Sequence, residues 1–316
     1  MLLPNPPIRS LARAGMAMIS PSKPALVQLV VTRRCNLACG YCNEFDHVSP
    51  PVDTRLLVDR IDRIADAGTV VLTLTGGEPL LHPMLDELIR HGVSRGMVCT
   101  SITNGYTLTP RWIHRLNDSG LTLLQVSIDN LHPNEVSEKS WSTLKERLTL
   151  LRDHAEFKVT VNAVLGSCSA DETRQVVRGV RELGFYMTVG LMHDHEGQLD
   201  PGLLGNELAD FYREIRGESR KSLLHHIGEG WEAEIIRKGV APWKCRAGAR
   251  YLYVDEDGIV SYCSQRRDEP GVPLEQYSEE DRQREFYTRK GCEDRCTISC
   301  VRRASATDAL RRQELG

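Results

Sequence analysis

The sequence contains no apolar run long enough to cross a membrane, no excess of one charge and no low-complexity tract. A transmembrane helix needs roughly 18 to 20 consecutive apolar residues. The net charge of −3, with 14 basic and 14 acidic residues in 241–316, argues against a basic surface that binds nucleic acids. We therefore expect no transmembrane segment and no nucleic-acid partner.

An export signal is also missing. Prolines and arginines interrupt the apolar residues of positions 1–19, and no small-residue cleavage site follows them. We therefore expect a cytoplasmic protein, in which cysteines serve more often as ligands than as disulfides. Eight of the ten cysteines fall into two groups, as ligands would. The other two, Cys99 and Cys168, are expected to be small, unreactive hydrophobic residues.

The first cysteine group comprises Cys35, Cys39 and Cys42, which follow a predicted strand at 25–32 with the spacing C-x3-C-x2-C. Thiolates select zinc, copper(I) or iron–sulfur clusters. A four-iron cluster held by only three cysteines keeps one iron free for an outside ligand. The alternative is a zinc site that His47 completes.

A second motif, Gly76-Gly77-Glu78-Pro79, follows the predicted strand at 70–75. Two glycines let the backbone pass close to a ligand, because they carry no Cβ. The carboxylate of Glu78 can accept hydrogen bonds from an ammonium group. The simpler interpretation is an ordinary turn between a strand and a helix.

Predicted strands and helices alternate through six β/α steps. The strands are 25–32, 70–75, 97–103, 122–128, 157–165 and 186–192, and the helices are 53–67, 83–91, 110–117, 140–154 and 170–183. Short apolar strands of this kind favour a parallel sheet with functional groups at the carboxyl ends of the strands. Six units are fewer than the eight of a closed TIM barrel, which leaves a side opening for a substrate. We predict an α/β fold, a partial (β/α)6 TIM barrel.

The cysteine triplet, with Tyr41 before its last cysteine, and the Gly-Gly-Glu motif one β/α unit later resemble the radical S-adenosylmethionine (SAM) enzymes. The resemblance implies the same partial barrel, a 4Fe–4S cluster on Cys35, Cys39 and Cys42, and SAM bound to the free iron. It implies reductive cleavage of SAM to methionine and a 5′-deoxyadenosyl radical, which abstracts a hydrogen atom from a small molecule or a peptide. A reductant such as flavodoxin or ferredoxin would supply the electron.

The resemblance also implies which residues contact SAM. Tyr41 and the Val189–Met192 backbone would lie near the adenine, and Gly76, Gly77, Glu78 and Pro79 would bind the amino group of SAM. The ribose and the carboxylate would contact Asn104, Ser127 and Asp129, and the ribose would also contact Asn162. Each of these positions can instead hold an ordinary buried or capping polar group.

The second cysteine group lies in residues 241–316, after predicted helices near 203–217 and 222–238. Its members are Cys245, Cys263, Cys292, Cys296 and Cys300. A hairpin predicted around Asp257-Gly258 separates the first two. The arrangement resembles the auxiliary-cluster modules of the SPASM and twitch groups, and the alternative is a structural zinc. Since one cluster needs about four thiolates, five thiols indicate one auxiliary 4Fe–4S cluster and one remaining cysteine. That cysteine is either unused or a hydrogen-atom donor, the candidate donors being Cys292, Cys296 and Cys300.

We therefore predict three parts: an N-terminal extension at 1–24, the barrel at 25–240 and the cluster module at 241–316. Residues 8–19 have helical apolar spacing, which suits packing on the barrel or contact with a membrane lipid. Residues 193–196, at the open end of the barrel, would contact the substrate, move protons or form a solvated loop. The reaction would be dehydrogenation, epimerisation or crosslinking. The competing hypothesis is a non-catalytic iron–sulfur electron carrier or a zinc-stabilised binding protein.

Overall fold

The computed structural model describes residues 13, 15, 20–42, 44–194, 196–217, 231–267, 269–306 and 308. Most of the predicted amphipathic segment 8–19, residues 222–230 of a predicted helix, and His195 lie outside the described residues. Within the described part of the chain, no helix is both long and apolar enough to cross a membrane.

The elements follow the predicted alternation closely. The strands are β1 (Leu26–Thr32), β2 (Val71–Gly76), β3 (Val98–Thr103), β4 (Leu123–Ser127), β5 (Lys158–Leu165), β6 (Tyr186–Leu191), β7 (Tyr251–Val254), β8 (Ile259–Ser261) and β9 (Val272–Pro273). The helices are α1 (Thr54–Asp66), α2 (Leu85–Ser94), α3 (Pro110–Ser119), α4 (Trp141–His154), α5 (Ala170–Glu182), α6 (Asn206–Gly217), α7 (Trp231–Lys238), α8 (Glu279–Tyr287) and α9 (Ser299–Ala306).

The strands form one sheet in the order β6-β5-β4-β3-β2-β1-β7-β8-β9. Strands β1 to β6 pair in parallel with their neighbours in the chain. The predicted partial barrel is confirmed, and its first and sixth strands are not paired with each other. All six carboxyl ends lie along one edge, where the predicted site residues follow the strands.

Alternate strand residues face a single hydrophobic core beneath the helices. Leu29, Leu74 and Leu124 belong to this core and are completely buried. Their neighbours on the opposite face are largely hydroxyl and amide residues, such as Thr73 and Thr100, whose hydroxyls lie 2.8 Å apart. The sequence therefore produces an apolar outer face and a polar inner face.

Local capping sets several helix boundaries. Ser169 accepts a hydrogen bond from the Glu172 backbone, and Glu172 accepts one from the Ser169 backbone, which is the predicted capping box. Pro110 begins α3, and Gly120, with φ +80°, ends it. At the amino edge of the sheet, Arg13 donates to the Ala65 carbonyl at the end of α1, 2.7 Å away.

The cysteine-rich tail is joined to the barrel through the sheet. Strand β7 pairs in parallel with β1, and the predicted hairpin around Asp257-Gly258 continues as the antiparallel strands β8 and β9. The predicted module at 241–316 therefore shares the barrel's sheet instead of lying beside it. Whether residue 240 is a domain boundary stays a prediction.

A buried ion pair joins Arg250 to Asp308, the last of the described residues. The Arg250 guanidinium donates to both carboxylate oxygens of Asp308, at 2.8 and 2.7 Å, and to the Lys23 carbonyl. Both side chains of the pair are almost fully buried, at 1% and 2% exposure. Such a pair gives bidentate geometry, and the loss of one partner strands a buried charge.

Arg250→Met is expected to destabilise the protein by ~3–5 kcal/mol, because it removes the bidentate guanidinium from the buried Asp308 carboxylate. The midpoint of chemical denaturation measures the effect. Arg152→Met is the matched control, since Arg152 pairs with Asp153 on the surface and both are about half exposed. Equal midpoints for the two variants would contradict the stabilising role of the buried pair.

Candidate active site

The first cysteine group forms a closed loop at the carboxyl end of β1. The Cys35 amide donates to the Asp46 carbonyl at 2.8 Å, and the Asp46 amide donates to the Arg33 carbonyl at 3.0 Å. Within the loop, the Cys42 amide donates to the Cys39 carbonyl at 3.1 Å. Cys39 is buried, whereas Cys35 and Cys42 are half-buried. The loop thus gathers three thiols at one strand end.

Gly76 and Gly77 allow the backbone of this loop to pack closely against the end of β2. A Cβ on Gly77 would lie 2.4 and 2.5 Å from the carbonyl oxygens of Arg33 and Arg34, and one on Gly76 would lie 2.1 Å from that of Thr32. The Gly77 amide donates to the Thr32 carbonyl at 2.9 Å. Both positions must therefore be glycine, because the backbone that leads into the cysteine loop passes too close for a Cβ.

Glu78 is completely buried behind the same turn. Its carboxylate accepts from the Thr103 hydroxyl and the Asn104 amide, both at 2.7 Å, and from the Leu80 amide at 3.0 Å. Burial raises the pKa of Glu78, and these hydrogen bonds oppose the shift. Pro79 begins a short 3₁₀ helix that follows it. The hydrogen bonds of Glu78 connect its carboxylate to the end of β3. Its contact with an ammonium group stays a prediction.

Asn104 connects this carboxylate to the cysteine loop. Its backbone amide donates to Glu78, and its side-chain amide donates to the Cys35 sulfur at 3.6 Å and to the Asn36 side-chain oxygen at 2.8 Å. The two sequence motifs and the end of β3 therefore meet at one residue. The predicted ribose or carboxylate contact of Asn104 stays a prediction.

A buried polar network lies on the other side of the loop. The Tyr41 hydroxyl donates to Asp129 at 2.8 Å, the Ser137 hydroxyl donates to the same oxygen at 2.7 Å, and the Lys139 ammonium lies 3.1 Å from it. Lys139 also donates to the Tyr41 hydroxyl. Burial opposes the charge on Lys139, but the Asp129 carboxylate together with Tyr41 and Cys39 outweighs it, and the pKa of the amine is raised. The predicted residues Tyr41 and Asp129 thus contact each other.

Two buried oxygens in this region have no hydrogen-bond partner among the described residues. They are Oδ1 of Asp129 and Oδ1 of Asn130. Buried acceptors are normally paired, so an unpaired one indicates a missing donor such as a ligand hydroxyl or a water. Ser127 ends β4 beside them, whereas Asn162 on β5 accepts from the Thr188 hydroxyl at 2.7 Å. These orphaned acceptors suit a hydroxyl-rich ligand such as a ribose.

The donor set of the loop fits an iron–sulfur cluster. Burial raises the pKa of Cys35 to about 11 and raises that of Cys42, so both thiols keep their protons until a metal displaces them. His47, the fourth ligand of the zinc alternative, instead directs Nδ1 to the Cys35 carbonyl at 3.0 Å. Among the described residues, no three His, Cys, Asp or Glu side chains are placed to hold a single metal ion.

The tail cysteines also come together. Cys245, Cys263 and Cys296 are buried in one cluster with Tyr251, and Cys300 packs against it. Burial raises the pKa of Cys245 to about 11 and that of Cys296 to about 12, and the nearby Cys292 adds to both shifts. The structure therefore places all five predicted tail ligands in one region.

Positive side chains surround these thiols. Lys290 lies near Cys245, Arg266 hydrogen-bonds Cys292, and Arg303 lies near Cys300. Arg302 lies near Cys296, between the indoles of Trp231 and Trp243 at 4.0 and 4.6 Å. A cluster held by four thiolates carries net negative charge, so cations in these positions fit it electrostatically.

The loop after β6 packs against the tail. Thr297 donates its backbone amide and its hydroxyl to the Gly197 carbonyl, at 2.9 and 3.0 Å, and Gln198 pairs with Cys296. His193 directs Nδ1 to the Asp194 carbonyl within its own loop. A role of residues 193–196 in substrate contact or proton transfer stays a prediction.

Among the described residues, the two remaining cysteines have no thiol of either group among the contacts that shift their pKa. Cys99 is completely buried in the core, and burial raises its pKa to about 12. Cys168 is half-buried, donates to the Asp129 carbonyl at 3.4 Å and contacts the Thr173 hydroxyl at 3.5 Å. Neither thiol therefore joins a ligand set.

Sequence comparison identifies the family. The radical SAM superfamily profile matches residues 29–194, just over half of the chain. The chain belongs to the radical SAM superfamily. Members of this family use SAM and a 4Fe–4S cluster, in agreement with the three-thiol loop and the neighbouring Gly-Gly-Glu turn.

Relatives within the superfamily have different activities. The AdoMet-dependent heme synthase of Methanosarcina barkeri is 29% identical over 270 residues, which cover 76% of each chain. The PqqA peptide cyclase of Methylocella silvestris is 30% identical over 161 residues, 49% of this chain and 43% of that protein. The fold resembles SuiB of Streptococcus suis bound to S-adenosylmethionine, with a TM-score of 0.65, 15% identity, and coverage of 82% of this chain and 65% of that chain.

Two important residues were missed by sequence reasoning. Ser137 and Lys139 belong to the loop between β4 and α4, and both contact Asp129. Neither lies in a recognisable motif or at a strand end. The sequence shows only that they follow Asp129 by eight and ten residues. This spacing does not predict a contact unless the conformation of the loop is known.

Proposed function

We propose that this radical SAM enzyme abstracts a hydrogen atom from a peptide or a small metabolite, with Cys35, Cys39 and Cys42 holding the SAM-binding cluster. When bound, the cluster and SAM supply the electron and the hydrogen-abstracting group that an unactivated C–H bond requires. The observation that carries the proposal is the hydrogen-bonded connection from Glu78 through Asn104 to Cys35. It joins the two motifs at the carboxyl edge of the sheet.

The chain's own residues hold and orient the ligands. Gly76 and Gly77 keep the cysteine loop against β2, and Asp129 offers its unpaired oxygen to a ribose hydroxyl. Lys139, whose side chain is 14% exposed, provides a positive charge beside the buried Asp129 carboxylate. Tyr41 fixes the position of the loop relative to β4 through its bond to Asp129. Precise orientation of this kind selects one C–H bond among many.

The inner face of the barrel indicates a neutral, hydrogen-bonding substrate. Strands β1 to β6 contain one charged residue, Lys158, which begins β5 at the amino edge and so lies far from the cysteine loop. Polar residues on the inner face include Gln28, Thr73, Thr100, Gln125, Thr160, Asn162 and Thr188. A substrate with several carboxylates would need cations here, whereas amide and hydroxyl groups suit a peptide or a neutral metabolite.

Two of the relatives support the peptide option. One is named a peptide cyclase, and SuiB has also been crystallised with its precursor peptide SuiA. Dehydrogenation, epimerisation and crosslinking all begin with hydrogen abstraction. Mass spectrometry of reactions with candidate substrates separates them by loss of two hydrogens, uptake of solvent deuterium or a new linkage.

In the tail, Cys245, Cys263, Cys292 and Cys296 would hold one auxiliary 4Fe–4S cluster. Cys292 lies near both Cys245 and Cys296, and Arg266 donates to it. Cys300 lies near Cys263, but its sulfur is also engaged in a hydrogen bond with the Tyr251 hydroxyl. These contacts support Cys300 as the fifth, non-ligating thiol.

Cys292→Ser is expected to lose the auxiliary cluster, lowering iron from about eight to about four atoms per protein, because a four-iron cluster uses about four thiolates. Cys300→Ser is the matched variant and is expected to keep about eight. Iron and acid-labile sulfide analysis of anaerobically reconstituted protein measures both. The opposite result would make Cys300 the ligand and Cys292 the remaining thiol.

Anaerobic incubation with SAM and dithionite tests the function. The reconstituted protein is expected to release 5′-deoxyadenosine, and flavodoxin or ferredoxin should replace dithionite as the electron source. If a cluster-loaded protein forms no 5′-deoxyadenosine, the electron-carrier hypothesis is favoured. If zinc occupies the first cysteine group, the binding-protein hypothesis is favoured.

A further inference from the structure

The side chain of Asn104 points at a sulfur that the proposed function assigns to the cluster. Its two amide N–H groups have separate acceptors: the Cys35 sulfur at 3.6 Å and the Asn36 side-chain oxygen at 2.8 Å. Asn104 is almost fully buried, so water does not compete well for these groups. Cys35 accepts a second hydrogen bond, from the Leu37 backbone amide at 3.4 Å.

The orientation of this amide is fixed by its surroundings. Its oxygen accepts from the Tyr106 backbone amide at 2.9 Å, and its own backbone amide is held by Glu78 at 2.7 Å. A flipped amide would place its NH₂ group against the Tyr106 N–H, two donors facing each other. The nitrogen must therefore face Cys35.

A donor at this position favours the reduced form of a metal centre bound to the sulfur. Reduction adds negative charge, part of which resides on the thiolate ligands, and an N–H dipole directed at the sulfur stabilises that charge. Hydrogen bonds to the sulfurs are one of the factors that set iron–sulfur potentials. The low exposure of Asn104 strengthens the effect, because fewer water dipoles screen it.

We propose that Asn104 is a positioning residue that raises the reduction potential of the cluster on Cys35 through this N–H···S hydrogen bond. The inference rests on the proposed function, since it requires a cluster on that thiol. Glu78 acts through Asn104 by holding its backbone. A residue of the predicted SAM-binding set thus controls how readily the centre accepts its electron.

The test is a redox titration of anaerobically reconstituted holoenzyme, followed by electron paramagnetic resonance. In Asn104→Ser, the shorter hydroxyl can still accept from the Tyr106 amide but cannot reach Cys35. We expect about a tenfold fall in the ratio of reduced to oxidised centre at a fixed potential, equal to a shift of ~59 mV for one electron. Asn104→Asp keeps the shape but cannot donate, and it should shift the midpoint further in the same direction.

Asn117→Ser is the matched control. Asn117 also bridges two backbone groups, the His154 carbonyl at 2.9 Å and the Glu156 amide at 3.0 Å, but it contacts no thiol. Its midpoint should equal that of the wild type. An unchanged midpoint in Asn104→Ser and Asn104→Asp, with full iron content, would overturn the inference and leave the proposed function intact. A wild-type protein that binds no cluster at Cys35 would overturn both.

Discussion

Cys39→Ala is expected to reduce 5′-deoxyadenosine formation to the level seen without enzyme. Cys39 is the middle ligand of the loop, it is buried at 7% exposure, and its sulfur lies 3.5 Å from the Ser137 hydroxyl. Two thiols cannot hold a four-iron cluster that keeps one iron free for SAM. Because cleavage of SAM requires that iron, the loss should be complete and not partial.

The measurement is product analysis after anaerobic incubation with SAM and dithionite. Cys99→Ala is the matched control. Cys99 is buried in the core, and burial raises its pKa with no contribution from another cysteine. This variant should retain activity even if the core loses some stability. Substantial product from Cys39→Ala would mean that this loop does not hold the cluster.

Gly77→Ala is expected to abolish the same activity without removing any ligand. The new Cβ would lie 2.4 to 2.6 Å from backbone atoms of Arg33 and Arg34, which cannot rotate away as a side chain can. The loop must move off the end of β2, and the hydrogen bond from the Gly77 amide to Thr32 would be lost with it. The three thiols would then no longer be gathered beside Glu78 and Asn104.

Iron analysis distinguishes this effect from general unfolding. We expect Gly77→Ala to retain about four irons in the tail and lose about four from the first group, if each group holds one four-iron cluster. Gly291→Ala is the control, because a Cβ there meets nothing within 4 Å. Full iron content with normal activity in Gly77→Ala would show that the loop tolerates displacement, contrary to this account.

The repeated local patterns of the barrel could be predicted from sequence. Apolar strands such as Val71–Gly76, together with signals such as the Ser169 capping box and Pro110 at a helix start, gave element boundaries within three residues over the barrel. These features depend on neighbours in the chain, and a parallel sheet repeats them. The cysteine spacings likewise identified the thiols that the fold gathers.

Contacts between distant segments could not be predicted in this way. The pairing of β7 with β1 joins residues more than 200 positions apart, and no local pattern specifies that partner. The close approach of the Thr32–Arg34 backbone to Gly76 and Gly77 is a contact of this kind, and the ligand contact of the glycine pair stays a prediction. The bond from Asn104 to Cys35 and the role of Lys139 depend on the same tertiary arrangement. The cytoplasmic location stays a prediction.

Adding SAM to anaerobically reconstituted, reduced protein and recording its electron paramagnetic resonance spectrum shows whether SAM binds an iron centre held by the first cysteine group. Cys292→Ser, which should lack the auxiliary cluster, allows the first centre to be observed alone. We expect a four-iron signal that changes shape on addition of SAM and is absent from Cys39→Ala. A signal that is indifferent to SAM, or a first cysteine group filled with zinc, would contradict this expectation.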